Sequence, residues 1–408
     1  MASSLDERVR VTESEFYFDD PHKTYREMRE QAPVYWHKGG QFWILTAFED
    51  IEYVSKNADL FSVASGVLLT DVLKEHDYLS KMFPDGVENV SVLDPPRHTQ
   101  VRRLMNYAFG RNRIESYRPR IRELVTECLD RIAAKGEAEV VRDLSIPVTA
   151  NVIKAFINCE DLTVKQVVEW SDDVFRMGSD ITMEELQETV AKIQPMVEYF
   201  VAKVESARVR DEGDFLSHLV NSQLDGANLS TLMAEVYLQT VMVAGNETTR
   251  NGFTAAIRLF SEYPEQYGLL RERPELVKSA VEEILRFHNP TIGFLRTATQ
   301  DTILHGQAIK KGDRVYLVYG AANRDPAIFE DPDKFDITRF VDPHKTHLTF
   351  GRGPHICIGM ALARLEMQTM IEELLPRFSG FELTSDPVRP DTLLGNGYLS
   401  LPTRFIPA

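Results

Sequence analysis

The sequence predicts one large, mostly helical folding unit of 408 residues. Length alone would allow two or three domains. However, no linker rich in serine, glycine or proline interrupts the chain, and we find no repeat or low-complexity block. A proline-free stretch from Ser230 to Glu262 carries apolar residues at helical spacing, which indicates a long central helix. We therefore expect a single domain over residues 1–408, with a flexible N-terminal segment at 1–18.

Composition and charge exclude several functional classes. The net charge of -16 argues against nucleic acid or an anionic membrane surface as the main partner. No run of about 18 apolar residues occurs, and no signal peptide is visible, so we expect no membrane anchor. The three cysteines, Cys128, Cys159 and Cys357, are odd in number and far apart, which is typical of a reducing cytoplasm. A cytoplasmic protein is predicted.

The middle of the predicted central helix carries residues that suit a helix core poorly. About 32 residues would span roughly 48 Å at 1.5 Å per residue. The segment Ala244-Gly-Asn-Glu-Thr-Thr249 places a glycine, an acid and two threonines there. Local conflicts of this kind tend to mark functional sites. The alternative is an ordinary core helix with Glu247 on a solvent face.

A glycine-rich loop, Phe350-Gly-Arg-Gly-Pro-His-Ile-Cys-Ile-Gly359, precedes a second amphipathic helix. Glycines let the backbone bend tightly and approach a flat ligand closely. Amide groups at a helix N-terminus are expected to lower the pKa of the Cys357 thiol and favour a metal-binding thiolate. A small buried cysteine is the plain alternative. Zinc bound by His355 and Cys357 is disfavoured, because the sequence has no paired ligand cluster.

Two further pairs share helix faces at short spacing. Glu283 and Arg286 stand three apart, and the segment Ala322-Asn-Arg-Asp-Pro326 follows about forty residues later. His98 and Arg102 stand four apart, behind two prolines that begin a helix. Taken alone, the first is a solvated surface pair and the second a basic surface helix.

Together these motifs resemble the cytochrome P-450 family. Phe350, Gly353, His355, Cys357 and Gly359 stand at the spacing of that family's haem-binding loop. The pair Glu283–Arg286, the segment around Arg324 and the cysteine loop follow in the family's order. The resemblance implies a mainly α fold with small β-sheets (α+β), a triangular prism with a long central helix, the family's I helix, over the haem.

The resemblance also implies roles for single residues. Cys357 would be the axial thiolate ligand of haem b, with Phe350 beside its sulfur and Gly359 admitting the helix. Thr248 would donate a hydrogen bond to the oxygen being activated, and Glu247 would relay protons. The other implied haem contacts are His98, Arg102, Arg296 and His355 on the propionates, with Ala244, Gly245 (room for O2), Gly351 and Ala363. Glu283 and Arg286 would form a buried structural ion pair with the segment around Arg324.

The implied function is a monooxygenase that hydroxylates a C–H bond with O2. Its electrons would come from NAD(P)H through a ferredoxin reductase and a ferredoxin, which an arginine patch would steer. That predicted patch consists of Arg102, Arg103, Arg111, Arg113 and Arg352. A monomer is expected. The alternatives are other haem-thiolate chemistry (peroxygenase, epoxidation or C–C coupling) and a non-catalytic haem sensor or electron carrier.

The substrate-facing segments predict an apolar pocket with few polar anchors. The predicted lining residues are Val241, Ala244, Ile292, Phe294 and Leu394. The segment 62–92, which contains Gly66 and Gly86, is predicted to be a mobile lid. A terpenoid, steroid, aromatic or fatty-acyl compound suits such a pocket, and the sequence does not choose among them.

Overall fold

The computed structural model of the chain describes residues 4–18, 20–73, 86–177, 181–209 and 214–408. Within these ranges the α-helices are α1 (Leu5–Arg8), α2 (His22–Gln31), α3 (Phe48–Lys56), α4 (Thr70–Leu73), α5 (Arg97–Asn106), α6 (Arg111–Ser116), α7 (Arg118–Lys135), α8 (Ile146–Phe156), α9 (Val164–Arg176), α10 (Met183–Arg208), α11 (Phe215–Asn221), α12 (Thr231–Glu262), α13 (Pro264–Glu272), α14 (Val277–His288), α15 (Tyr319–Ala322) and α16 (Met360–Leu374). The strands are β1 (Val34–His37), β2 (Phe42–Leu45), β3 (Phe61–Ser62), β4 (Glu137–Glu139), β5 (Gln223–Leu224), β6 (Ala227–Asn228), β7 (Gly293–Ala298), β8 (Thr302–Leu304), β9 (Gln307–Ile309), β10 (Arg314–Val318), β11 (Phe378–Leu383) and β12 (Pro402–Pro407). The predicted class, mainly α with small β-sheets, is confirmed.

The largest sheet has the strand order β1-β2-β10-β7-β3. Strands β2 and β10 pair in parallel, whereas β10 and β7 pair antiparallel, with Val315 opposite Arg296. A second sheet orders β11-β12-β4, and two short hairpins join β5 to β6 and β8 to β9. Because side chains alternate along a strand, Phe294 and Arg296 of β7 lie on the same face of the large sheet.

The predicted central helix is α12. The Ser230 hydroxyl accepts a hydrogen bond from the Met233 N–H at 3.1 Å and caps its start. Pro264 follows its last turn and belongs to the next helix. Most of α12 is buried, and its apolar residues belong to the largest hydrophobic cluster. The helix therefore runs through the core, as its apolar spacing predicts.

The Glu283–Arg286 pair lies in α14 and braces the segment 323–339. Both side chains are fully buried, and Nε and Nη2 of Arg286 bind the two Glu283 carboxylate oxygens at 2.7 and 2.8 Å. Arg286 also donates to the carbonyls of Asn323 (2.7 Å) and Pro332 (2.9 Å). A second arginine, Arg339, also pairs with Glu283, with its Nε 3.2 Å from a carboxylate oxygen. The pair thus ties α14 to the segment that leads into the cysteine loop.

Arg324 lies in the segment that Arg286 contacts through the Asn323 carbonyl, and it has binding partners of its own. It pairs with Asp333 at 3.1 Å and donates to the Phe287 carbonyl at 3.0 Å. Its guanidinium lies 3.4 Å from the centre of the Phe287 ring. Arg324 therefore stabilises the same segment through Asp333, while Arg339 is the arginine that joins Glu283.

The N-terminal residues, for which a flexible segment was expected, pack against the large sheet. Val9, Val11 and Phe16 are buried in a cluster that includes Tyr316. The Tyr17 hydroxyl donates to the Val11 carbonyl at 2.7 Å. Charged residues separate these apolar ones, so no periodic pattern revealed the buried side in the sequence.

Among the described residues, no helix combines the length and the apolar character that crossing a bilayer requires.

Candidate active site

The cysteine loop is held by close backbone packing against α3. Gly353 has a positive φ of 69°, and a Cβ there would lie 2.1 Å from the Ser55 carbonyl oxygen. Glycine is therefore required at this position. The Cys357 N–H donates to the Phe350 carbonyl at 2.8 Å, which closes the loop just before α16 begins. The thiol of Cys357 keeps accessible surface although protein surrounds it.

The expectation of a lowered thiol pKa is wrong for the protein alone. Burial raises the pKa of Cys357 above its ordinary value. The N–H groups of Gly359 and Met360 and the charge of Arg102 act in the opposite direction and are outweighed. Desolvation penalises an isolated thiolate more than a few donors stabilise it.

The outer side of the loop is ordered by a cluster that the sequence did not reveal. The Arg364 guanidinium lies 4.7 Å from the centre of the Phe350 ring. Arg364 binds both oxygens of Glu282 at 2.7 Å, and His347 lies 3.1 Å from the same carboxylate. Although burial acts to raise it, these hydrogen bonds hold the pKa of Glu282 at about 2. The partners are 65 and 82 residues apart, so no local pattern linked them.

Four basic side chains gather beside Cys357, as the family resemblance implies for haem propionates. The rings of His98 and His355 have centroids 4.0 Å apart. Arg102 donates to the Ile356 carbonyl, and Arg296 donates to the Leu295 carbonyl at 2.7 Å. Both ring nitrogens of His98 and Nε2 of His355 are buried without a hydrogen-bond partner among the described residues. We call His98, Arg102, Arg296 and His355 the basic cradle.

The electrostatics of the basic cradle favour an anionic ligand. Burial, together with Arg102, lowers the pKa of His98 to about 4. Burial, with His98, Arg296 and Arg102, lowers the pKa of His355 to about 3. Within the described chain, no acid forms an ion pair with any cradle residue. Buried donors and like charges without an acid fit the two carboxylates of a haem.

Two glycines of the site differ in how closely other protein atoms pack against them. A Cβ at Gly245 would lie 2.8 Å from Cδ1 of Ile153, so this glycine lets α8 pack against α12. A Cβ at Gly359 would lie 3.9 Å from the Cys357 sulfur and 4.0 Å from Phe109, which are ordinary contacts. A Cβ at 245 would therefore require the end of the Ile153 side chain to shift, whereas a Cβ at 359 would meet only ordinary contacts.

Four residues in the buried part of α12 keep accessible surface. Between Met233 and Ile257 these are Thr240, Ala244, Gly245 and Thr248, which we call the accessible stripe. Gly252, one turn after Thr248, meets α16, since a Cβ there would lie 3.1 Å from the Met367 sulfur. The stripe thus reaches, within one turn, the contact between α12 and the helix that follows Cys357.

Thr248 and its neighbour Glu247 point in different directions. The Thr248 hydroxyl donates to the Ala244 carbonyl at 2.7 Å, so its proton is engaged and its oxygen remains an acceptor. Glu247 is buried on another side, where one oxygen lies 3.7 Å from Arg250 and the other has no described partner. Arg250 in turn binds Asp172, whose side chain is half exposed, at 3.1 Å.

The turn around Gly395 covers Glu247. A Cβ at Gly395 would lie 2.9 Å from Oε1 of Glu247, and one at Gly397 would lie 2.1 Å from Oδ1 of Asn251. Burial raises the pKa of Glu247 to about 7, although Arg250 and Asn251 act to lower it. The pKa of Glu247 thus lies near neutral pH, and Arg250 links this carboxylate to the half-exposed Asp172.

The predicted pocket residues are only partly brought together. Phe294 and Leu394 pack against an apolar wall formed by Val63, Val67, Leu68 and Val92. Ile292 is buried in a different cluster, although its N–H donates to the Leu394 carbonyl at 2.9 Å. Val241 is buried in the main core. Part of the predicted lid, residues 74–85, lies outside the described residues.

The predicted arginine patch is not a set of free charges. Arg102 faces inward, and Arg352 is largely covered and lies 3.4 Å from Glu52. Arg113 lies 5.2 Å from the centre of the Tyr107 ring. Arg103 and Arg111 are the two exposed members. Spacing in sequence did not show which arginines the fold turns inward.

Comparisons with known proteins agree with one another. The family model described as cytochrome P-450 matches residues 71–406. Linalool 8-monooxygenase of Pseudomonas putida is 32% identical, over 95% of this chain and 96% of that enzyme. The steroid C26-monooxygenase of Mycobacterium tuberculosis is 30% identical, over 98% of each chain. A solved structure, P-450 BioI in complex with an acyl carrier protein ligated to hexadec-9Z-enoic acid, has a TM-score of 0.85 at 30% identity, over 96% of this chain and 99% of that one.

Proposed function

Since the chain belongs to the cytochrome P-450 family and is a monooxygenase, we propose that it hydroxylates a C–H bond of a largely apolar organic substrate. One oxygen atom of O2 enters the substrate, and the electrons come from NAD(P)H through a ferredoxin reductase and a ferredoxin. When bound, the haem supplies the iron centre at which O2 is reduced and its O–O bond is cleaved. The observation that carries the proposal is the accessible Cys357 thiol beside the basic cradle.

The residues that would hold the haem lie on two sides of the site. Cys357 is the metal ligand, and the basic cradle receives the propionates. Phe350, Gly351, Gly359 and Ala363 contact the cofactor from the cysteine side. Ala244 and Gly245 contact it from α12, where Ala244 keeps accessible surface. The unpartnered nitrogens of His98 and His355 gain acceptors in this arrangement.

Proton delivery is assigned to two residues with separate tasks. The Thr248 hydroxyl donates to the Ala244 carbonyl. During the reaction it would donate instead to the oxygen that is being activated. Glu247 takes protons from solvent on the side where Arg250 holds it near the half-exposed Asp172. A carboxyl with a pKa of about 7 both accepts and releases protons at neutral pH. Glu283, Arg286 and Arg324 keep the cysteine side rigid and take no part in the chemistry.

The apolar wall indicates the class of substrate. The hydrocarbon surface of this wall is formed by Val63, Val67, Leu68, Val92, Phe294 and Leu394. The turn that ends at Val92 begins at Asn89, which contacts Thr240 of the accessible stripe. The relatives act on or bind compounds as different as linalool, a steroid and a fatty acyl chain. Because these relatives are similarly identical to this chain, they support only the property that their compounds share, a large apolar body.

Two exposed arginines near the cysteine loop indicate the kind of electron donor. Arg103 and Arg111 are exposed on helices α5 and α6, and α5 contacts the loop through Arg102. An acidic protein would be steered to this face of a chain whose net charge is -16. A small acidic ferredoxin meets that description.

Replacing Thr248 by alanine is expected to separate electron consumption from product formation. The reduced cofactor should still be oxidised, but product per electron pair should fall at least about tenfold, with hydrogen peroxide or water formed instead, because a positioned proton donor contributes about 10²–10⁴-fold. The measurement is the ratio of product to NAD(P)H consumed, using whichever apolar compound gives the largest spin-state change. Thr249→Ala, at a buried neighbouring position, is the matched control.

Two results would count against the proposal. If Thr248→Ala couples electrons to product as well as the unmodified enzyme, Thr248 has no part in proton delivery. If peroxide alone supports turnover as well as O2 with electrons, the chain is a peroxygenase instead.

A further inference from the structure

The accessible stripe of α12 extends beyond the part that the proposed function uses. Thr240, Ala244 and Thr248 follow one another at four-residue intervals and therefore share one helix face. Eight residues at 1.5 Å each place Thr240 about 12 Å from Thr248 along the helix. Thr240 and Thr248 thus form the two ends of the accessible stripe.

Asn89 brings a second polar group to this far end. Its side chain is buried, with 7% of its surface exposed, and its Nδ2 lies 3.5 Å from the Thr240 hydroxyl oxygen. Its Oδ1 accepts a hydrogen bond from the Ser91 N–H at 2.9 Å and caps the 3₁₀ turn Val90–Val92. Val92, at the end of that turn, belongs to the apolar wall with Phe294 and Leu394. Asn89 is therefore continuous with the wall.

The hydrogen bonds that Asn89 and Thr240 form do not use all of their N–H and O–H donors. The Thr240 hydroxyl donates to the Val236 carbonyl at 2.7 Å, so toward Asn89 it can only accept. The Asn89 amide has two N–H groups, and its one contact among the described residues is at the limit of hydrogen-bond length. Because the Ser91 N–H must face an oxygen, the amide orientation is fixed and the NH2 group faces Thr240. Among the described residues, at least one N–H of the Asn89 amide therefore has no hydrogen-bond partner.

We propose that the Asn89 amide, positioned by Thr240, forms a polar anchor for a neutral oxygen acceptor, a carbonyl or hydroxyl, on an otherwise apolar substrate. The anchor places that oxygen about 12 Å from the carbon that faces Thr248. An anion is disfavoured because the nearby Arg97 is already bound to Glu88 at 2.8 Å and to Asp225 at 2.6 Å. Asn89 is a specificity-determining residue in this assignment. The inference rests on the proposed function, since Thr248 is taken as the oxidising end.

Two isomeric ketones test the anchor in the haem-loaded enzyme. The probes 2-undecanone and 6-undecanone have the same atoms and differ only in the position of the carbonyl. The end-chain carbonyl reaches Asn89 while the other end lies near Thr248, whereas the mid-chain carbonyl is buried without a partner. We expect 2-undecanone to bind about tenfold tighter to the unmodified enzyme, measured as dissociation constants from spin-state titrations.

Asn89→Asp removes the donor and keeps the oxygen that caps Ser91. The preference for 2-undecanone should fall to near one in this variant, while Asn106→Asp, at an exposed position, should keep it. Equal affinities in the unmodified enzyme, an unchanged ratio in Asn89→Asp, or failure of both ketones to bind would each overturn the anchor. Binding with the expected preference but without oxidation by O2 and electrons would contradict the proposed function and leave the anchor standing.

Discussion

Replacing Cys357 by serine is expected to abolish monooxygenase turnover. A hydroxyl is a far weaker acid than a thiol and remains protonated, so it does not replace a soft anionic ligand. The thiolate also supplies the electron density that favours O–O cleavage. We expect turnover with O2 and electrons to fall below detection, together with reduced haem content per chain.

The other cysteines provide the control for this variant. Cys128 is buried in α7, where its sulfur contacts Arg131 at 3.2 Å, away from the basic cradle. Cys128→Ser should therefore keep haem content and turnover. Turnover of Cys357→Ser at the rate of the unmodified enzyme would remove Cys357 from the site.

Replacing Glu283 by glutamine is expected to cause the largest loss of stability. Both Glu283 and Arg286 are completely buried, and Glu283 also accepts the Asp336 N–H at 2.9 Å and faces Arg339. Neutralising Glu283 leaves the Arg286 charge buried without its partner, which costs about 3–5 kcal/mol. Since whole proteins are stable by about 5–15 kcal/mol, much of the chain should be unfolded or unable to keep haem.

Urea unfolding monitored by circular dichroism measures this effect. Glu275→Gln is the matched control, because Glu275 pairs with Arg273 at 2.9 Å on the surface, where both side chains are more than half exposed. Its midpoint should stay at that of the unmodified chain. A Glu283→Gln midpoint indistinguishable from that of Glu275→Gln would show that the buried pair does not stabilise the cysteine side.

Local patterns in the sequence predicted the parts of the site that lie within one element. The spacing of apolar residues from Ser230 to Glu262 gave the central helix, because a helix repeats its own face. Glu283 and Arg286 are three apart on α14, so their pairing needed no long-range information. The cysteine loop is likewise contiguous, and its motif is long enough to indicate the family.

Contacts between distant segments could not be predicted in this way. Arg339 joins Glu283 across 56 residues, and Gly395 covers Glu247 across a far longer separation. A Cβ at Gly245 would meet Ile153 of α8, a contact that the spacing of the motif does not report. The pKa of the Cys357 thiol depends on how deeply the loop is buried, which motif spacing does not report.

The reduced, carbon monoxide-bound spectrum of the enzyme tests the central claim most directly. Cys357 as the thiolate ligand of the haem iron predicts the red-shifted Soret band that is typical of thiolate ligation, retained in Cys128→Ser and lost in Cys357→Ser. A Soret band at the position typical of histidine ligation in the unmodified, catalytically competent enzyme would contradict the assignment.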